Sequence, residues 1–215
     1  MITRIQKAAE WRMRGMAADV RLADYQPFFL PTATQWTDGY RDGGWDYLGD
    51  LVERPRYSVI LGYLDVLGGW PSILDVGCGA GLMRERIGDR AFSSYVGIDI
   101  AEDAIRAAEE LADDSTSFVH GDLVDTDVGE PGSFDVAICE EVLYCASDPD
   151  ALLRRVHQLV RPGGHLLTSS MRHWGDLALQ RMIEERFDLV DSVDVRNRGS
   201  RARRRGWRIT CHRRR

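Results

Sequence analysis

Long apolar runs, lysine and paired cysteines are scarce in this chain of 215 residues. None of its apolar stretches approaches the length that spans a bilayer, and residues 1–7 lack the apolar core of a secretory signal. The four cysteines have no metal-type spacing: Cys78, Cys139, Cys145 and Cys211. These absences argue against a membrane-spanning helix. They predict a soluble, cytoplasmic protein with reduced thiols and neither a structural disulfide nor a zinc site.

Lys7 is the only lysine among 28 basic residues, and the net charge is −6. A negative net charge argues against general nucleic-acid binding, and we expect neither a nucleic acid nor a membrane as partner. Arginines are nevertheless concentrated near the C-terminus: Arg196, Arg198, Arg201, Arg203, Arg204, Arg205, Arg208, Arg213, Arg214 and Arg215. This stretch is either a solvated loop with a tail or a contact for an anionic substrate or partner. The oligomeric state is left open.

Length and composition indicate one α/β domain, since 44% of the residues are hydrophobic and 29% are charged. We divide it into an appended N-terminal part, residues 1–70, and a core, residues 71–215. Within the first part, residues 3–24 have helical apolar spacing, residues 28–47 indicate an irregular aromatic lid, and residues 56–67 carry the apolar stripe of a helix. The lid is expected to cover the substrate, the alternative being aromatic packing alone.

The core begins with an apolar strand that runs through Asp75 into a turn with three glycines, Gly77, Gly79 and Gly81. Glycine lets the backbone approach a ligand, and the helix that begins at Leu82 is expected to present unpaired N–H groups to it. A dinucleotide-binding loop has the spacing G-x-G-x-x-G, but Leu82 stands where its third glycine would fall. This departure weakens the alternative of a nicotinamide-dependent reductase.

Three further predicted strands end in acidic residues: Asp99, Asp122 and the pair Glu140-Glu141. Ligands of doubly wound sheets lie beyond the carboxyl ends of the strands, and Asp99 has nearly the offset at which a carboxylate takes ribose hydroxyls. Taken singly, each acid could instead cap a helix or close a turn. Helices are expected near residues 82–88, 101–112, 149–160 and 174–186. This alternation predicts a parallel sheet that is buried on both faces.

Residues 72–170 together resemble the motifs of the class I S-adenosylmethionine-dependent methyltransferases. The resemblance implies a doubly wound, seven-stranded Rossmann-like sheet, with residues 187–195 and 206–211 as its closing antiparallel hairpin. It also implies S-adenosylmethionine as cofactor and S-adenosylhomocysteine as product. The residues implied to contact the cofactor are Asp75, Gly77, Cys78, Gly79, Asp99, Ile100, Gly121, Asp122, Leu123, Glu140 and Arg56.

The resemblance also implies a role for each acidic residue. Asp75 is expected to organise the glycine loop near the methionine amino group. Asp99 is expected to bind the ribose hydroxyls, and Asp122 to accept a hydrogen bond from the exocyclic amine of adenine. No pyrophosphate has to be neutralised by the loop.

A sulfonium already carries an activated methyl group, so the protein mainly has to align a nucleophile behind it and exclude water. Glu140 could orient an ammonium-bearing acceptor or take its proton, the alternative being an ion pair with a neighbouring arginine. His173 is the second candidate for proton transfer, the alternative being a solvated loop histidine. Glu141 more often closes loop hydrogen bonds in relatives.

Outer motifs narrow the resemblance to small bacterial methyltransferases of the nodulation-factor N-methyltransferase type: Trp45–Leu48, then Glu53, Arg56 and Tyr57, and Trp207. Ubiquinone-pathway O-methyltransferases are a second comparison, and their Glu-Val-x-Glu-His run supplies metal ligands. In this chain Tyr144 and Cys145 replace the Glu and His, so no metal is predicted.

The residues expected to form the lid or to line the acceptor are Trp36, Tyr40, Trp45, Tyr47, Tyr57 and Tyr144. We expect methyl transfer to a nitrogen or oxygen of a small molecule, of the specialised-metabolite or sugar type. A nucleic-acid methyltransferase and a non-catalytic S-adenosylmethionine-binding protein are the alternatives.

Overall fold

The computed structural model describes residues 31–69, 71–171, 176–196 and 206–215. Its strands are β1 (Ser72–Val76), β2 (Ser94–Asp99), β3 (Thr116–His120), β4 (Phe134–Glu140), β5 (Val160–Met171), β6 (Phe187–Arg196) and β7 (Gly206–Arg214). Its α-helices are α1 (Ala33–Arg41), α2 (Arg54–Leu67), α3 (Leu82–Ile87), α4 (Glu102–Ala108), α5 (Pro149–Leu159) and α6 (Asp176–Glu184). No helix in this described part has the length and apolar character needed to cross a membrane.

The seven strands form one sheet in the order β3-β2-β1-β4-β5-β7-β6. The first five in this order are parallel, whereas β7 pairs antiparallel with both β5 and β6. The predicted fold class, a seven-stranded Rossmann-like sheet with a C-terminal antiparallel hairpin, is confirmed. Strand order reverses between β1 and β4, and the crevice beyond the carboxyl ends at such a point is where doubly wound folds bind ligands.

Apolar layers cover both faces of the sheet, as the continuous apolar runs in its central strands predict. On one face α5 buries Leu153 and Val156, which are fully inaccessible. On the other face α2 buries Ile60 in a cluster that contains Trp207 of β7. Helix α2 is therefore part of the core layer, so it holds its polar residues in fixed positions near the crevice.

Several predicted boundaries differ from the structure. Residues 28–47 were expected to be irregular, but α1 forms there because Thr32 and Gln35 make a capping box at its N-terminus. The helix expected over 101–112 ends at Ala108 and continues as a short 3₁₀ turn. The N-terminal helix expected over 3–24 lies outside the described residues.

Candidate functional site

The glycine loop after β1 is closed by its own hydrogen bonds. The N–H groups of Gly77 and Cys78 both donate to the carbonyl of Ile98, at 2.8 and 3.1 Å. The N–H of Gly79 donates to Asp99 Oδ2 at 2.9 Å. These three amides are therefore already paired, because the end of β2 lies close enough to bind them. The presentation of unpaired N–H groups by the helix that begins at Leu82 stays a prediction.

Asp99, at the end of β2, bridges the glycine loop and the start of α4. Its Oδ1 accepts from the N–H of Ala101 at 2.8 Å, in addition to the bond from Gly79. Burial raises the pKa of Asp99, and the two backbone N–H groups oppose that rise. A carboxylate has about four lone-pair positions, so Asp99 can still accept hydrogen bonds from ligand hydroxyls.

Asp75 is only 2% exposed and lies within the sheet. The hydroxyl of Tyr95 on β2 donates to its carboxylate. Burial raises the pKa of Asp75 to about 7, and this hydrogen bond opposes the rise. Its contact with a cofactor stays a prediction; in this structure its visible role is to tie β1 to β2 beneath the loop. Sequence reasoning did not single out Tyr95, because an aromatic residue in a strand is typical of packing.

Two glycines of the loop lie directly under other side chains. Gly77 has φ 70° and Gly79 has φ 53°, the left-handed region that favours glycine. A Cβ on Gly77 would come under 3.0 Å from Val142, and one on Gly79 would come equally close to the hydroxyl of Tyr40. Both backbone shape and close approach therefore require glycine at these positions.

The predicted lid docks beside the crevice through α1. Glu102 at the start of α4 donates its N–H to Thr37 Oγ1 at 3.2 Å, and Arg41 forms an ion pair with Asp103 at 2.9 Å. Burial, followed by the nearby Asp99 carboxylate, raises the pKa of Tyr40, so its hydroxyl stays protonated. The structure thus places Tyr40 of the predicted lid against the glycine loop.

The other lid aromatics stack around Trp45. Its ring centroid lies 4.9 Å from that of Trp36, 6.2 Å from that of Tyr40 and 6.1 Å from that of Tyr47. Trp45 Nε1 is buried and has no hydrogen-bond partner among the described residues. These four side chains form one group, but their contact with a substrate stays a prediction.

The residues predicted to hold adenine lie after β3. Asp122 is exposed, and its Oδ1 accepts from the N–H of Val124 at 2.9 Å. Leu123, 3% exposed, packs into the core, which fixes the turn that follows Gly121. The carbonyl of Ile100 lies 3.2 Å from His120 Nε2. Asp122 and Asp99 thus end neighbouring strands at the same edge of the sheet.

A buried ion cluster lies at the end of β4. Arg56 of α2 is 2% exposed; its Nε donates to Glu140 Oε1 at 2.9 Å, and its Nη1 forms an ion pair with Glu53. Its Nη2 donates to the hydroxyl of Tyr57 at 2.9 Å. The ion pair of Glu140 with an arginine, left open by the sequence, is therefore present. Glu53 was not among the predicted site residues, although its spacing of three from Arg56 is typical of a helical ion pair.

Glu141 closes the loop after β4. Its carboxylate accepts from the hydroxyls of Tyr144 at 2.7 Å and Ser169 at 2.9 Å. Its φ of 58° is the only positive value of a non-glycine residue within the described ranges. Such a conformation costs about 1–3 kcal/mol unless the surroundings hold it. The hydrogen bonds of Glu141 supply that support and fix the position of Tyr144.

Two predictions about proton transfer and metal remain. His173 lies outside the described residues, so its role stays a prediction. In the part of the chain that the structure describes, no three His, Cys, Asp or Glu side chains come together as metal ligands would. Tyr144 stands where the compared O-methyltransferases have a metal-ligating acid. Its hydroxyl donates a hydrogen bond to Glu141.

The central part of the chain is similar to a known family. Residues 74–166 match the model of a family described as a methyltransferase domain. This match spans less than half of the chain, and it is a similarity to that family. The match agrees with the predicted class of enzyme and with S-adenosylmethionine as its cofactor.

Curated relatives include a ubiquinone biosynthesis O-methyltransferase of Neisseria meningitidis serogroup A. It is 31% identical over 147 residues, which cover 66% of this chain and 60% of the relative. The chain thus spans less than two thirds of the length of that relative. These curated relatives lend no support to the expectation of specialised metabolism.

Solved structures confirm the fold. The [4+2]-cyclase SpnF has a TM-score of 0.70 at 17% identity, covering 88% of this chain and 99% of its own. N-methyltransferase NodS from Bradyrhizobium japonicum WM9, in complex with S-adenosyl-L-homocysteine, has a TM-score of 0.68 at 20% identity, covering 83% and 98%. The similarity of this chain to the nodulation-factor N-methyltransferase is thus a similarity of fold alone.

Proposed function

We propose that this protein transfers the methyl group of S-adenosylmethionine to a nitrogen or oxygen atom of a small molecule. The observation that carries the proposal is the convergence of the glycine loop, Asp99 and Asp122 at the carboxyl ends of β1, β2 and β3. These ends lie beside the point between β1 and β4 at which the strand order reverses. These residues belong to the segment that matches the methyltransferase family.

Each part of the crevice has a proposed share in binding the cofactor. Asp99 retains acceptor capacity for the ribose hydroxyls, and Asp122, exposed at the next strand end, accepts from the adenine amine. The space beside Gly77 and Gly79 is filled by Val142 and Tyr40, so these two side chains would border the methionine portion. A cofactor held in this way would direct its methyl group to the end of β4, where Glu140 and Tyr144 lie.

The acceptor would bind between the end of β4 and the aromatic group of Trp36, Tyr40, Trp45 and Tyr47. The names of the curated relatives favour an oxygen acceptor, whereas NodS is an N-methyltransferase. Closure of the aromatic segment would exclude water from the reacting atoms. We retain the division into a lid-bearing part, residues 1–70, and a core, residues 71–215, as part of this proposal.

Calorimetry tests the cofactor site directly. We expect S-adenosylhomocysteine to bind and NADH not to bind. Asp99→Ala should weaken S-adenosylhomocysteine by about 1.5–3 kcal/mol through loss of charge-assisted hydrogen bonds. Asp89→Ala, at an exposed position, is the matched control and should leave the affinity unchanged. Tighter binding of NADH than of S-adenosylhomocysteine would overturn the proposal.

A further inference from the structure

Among the residues that the structure describes, carboxyl groups outnumber cations where β1 and β4 end. Four are held there: Asp75, Glu53, Glu140 and Glu141. The carboxyl groups of Asp75, Glu140 and Glu141 interact electrostatically with one another or with the Arg56 guanidinium. Glu53 forms an ion pair with Arg56. The cations beside them are Arg56 and Arg86, whose guanidinium lies 3.5 Å from the ring centroid of Tyr57. The cluster therefore has an excess of negative charge when its carboxyl groups are ionised.

The two cations are already engaged. Arg56 uses Nε, Nη1 and Nη2 for Glu140, Glu53 and Tyr57, and it is 2% exposed. Arg86 donates to the carbonyl of Leu48 at 3.1 Å. Its Nη1 is buried without a hydrogen-bond partner among the described residues, so it is the donor that an anionic acceptor would have to use.

Glu140 and Glu141 differ in how many of their carboxylate oxygens already accept a hydrogen bond. Both oxygens of Glu141 accept hydrogen bonds, from Tyr144 and Ser169. Glu140 accepts from Arg56 at Oε1, and this bond leaves Oε2 for another donor. Burial raises the pKa of Glu140 to about 8, with the Arg56 charge opposing and Asp75 and Glu141 adding to the rise. Its carboxylate is therefore a stronger base than an ordinary glutamate.

We propose that the methyl acceptor is an amine that enters as its ammonium ion and is held by Glu140 Oε2. This inference rests on the proposed function and narrows it from nitrogen or oxygen to nitrogen. An ammonium ion beside Glu140 favours the ionised form of its carboxyl group, whereas an alkoxide or phenolate would disfavour it.

The reaction balances with the groups present. The ammonium ion gives one proton to Glu140, and the freed lone pair forms the N–C bond as the C–S bond breaks. The bonding pair stays on sulfur, which leaves S-adenosylhomocysteine neutral at that atom. The positive charge passes from sulfur to the methylated nitrogen, beside the same carboxylate cluster, and Glu140 returns its proton to water.

A first experiment uses sinefungin, which carries a primary amine where the cofactor carries its sulfonium methyl. Calorimetry should show sinefungin binding about 10–100-fold more tightly than S-adenosylhomocysteine, because its ammonium group meets the cluster. That ratio should fall about tenfold or more in Glu140→Gln and stay unchanged in Glu130→Gln, an exposed control. S-adenosylhomocysteine binding without a preference for sinefungin would overturn this inference alone. Failure of both to bind would overturn the proposed function and this inference with it.

A second experiment needs no variant, so a folding defect cannot obscure it. Wild-type protein saturated with S-adenosylhomocysteine is titrated with butylammonium, butanol and butyrate. Butylammonium should bind about tenfold or more tightly than the other two. If butylammonium binds no more tightly than butyrate, the inference is wrong. The acceptor would then be selected by the Arg86 donor or by no charge at all.

Discussion

Replacing Glu140 with glutamine tests whether its carboxyl group is held in an unfavourable environment. The side chain is 9% exposed, and its Oε1 lies 2.9 Å from Arg56 Nε. Glutamine keeps the size and can still accept this hydrogen bond through its amide oxygen. Arg56 also keeps its ion pair with Glu53. We therefore expect the variant to fold and the difference to lie in pH dependence.

The raised pKa of Glu140 sets the direction in which stability changes with pH. In the folded protein the pKa of Glu140 is about 8, raised chiefly by burial, against 4.5 as its ordinary value. A carboxyl group with a raised folded pKa contributes stability that is fully present below pH 4.5 and is lost as the pH rises through about 8. One pKa unit is worth about 1.4 kcal/mol. Between pH 6 and pH 9 the wild type should therefore lose roughly 1–3 kcal/mol more than Glu140→Gln.

Urea unfolding at these two pH values measures the difference. Other buried acids, such as Asp75, titrate in both proteins and largely cancel in the comparison. Glu130→Gln, at an exposed position, should follow the wild type at both pH values. An equal loss of stability in wild type and Glu140→Gln would refute the reasoning, because the carboxyl group would then titrate in the folded protein as it does in the unfolded chain.

Two further predictions test the loop and the absence of a metal requirement. Gly77→Ala should destabilise the protein by about 1–3 kcal/mol, because Gly77 has a φ of 70° and a Cβ there would clash with Val142. Gly62→Ala lies at an exposed position of α2 with open space at its Cβ and should stabilise the protein by about 0.5–1 kcal/mol. Thermal unfolding measures both changes, and a stabilising Gly77→Ala would contradict the loop geometry. Methyl transfer should survive prior treatment with EDTA, since Tyr144 and Cys145 replace the acid and histidine ligands; activity that returns only with added Mg²⁺ or Zn²⁺ would show that this loop was misinterpreted.

The sequence predicted the fold because its signals are local and repeated. The apolar strands, each followed by an acidic or glycine-rich turn, fixed the positions of β1 to β4, and the helical stripe over residues 149–160 matched α5. The prediction was wrong where a short polar helix carries no apolar stripe. Helix α1 has no fully buried residue, and the signal that could have found it was the spacing of Thr32 and Gln35.

The site was only partly predictable, because its partners come from distant positions in the chain. Asp99 and Asp122 were identified by their places at strand ends, and the structure brings them to one edge of the sheet. The contact of Tyr40 with the glycine loop joins residues 39 positions apart, and the pair of Arg56 with Glu140 joins residues 84 positions apart. No spacing rule covers such contacts.

What the sequence by itself determined is the order of strands and helices, the glycine loop and the acidic strand ends, since apolar periodicity and glycine backbone preferences act over a few residues. What only the tertiary structure decided is the electrostatic state of the site. The glycine-loop amides are taken by Ile98 and Asp99, Asp75 is tied to Tyr95, and one guanidinium is shared between Glu53 and Glu140. The physical reason is that a carboxyl group's charge depends on burial and on which charges lie within a few ångströms, and both are set by packing α2 against the sheet.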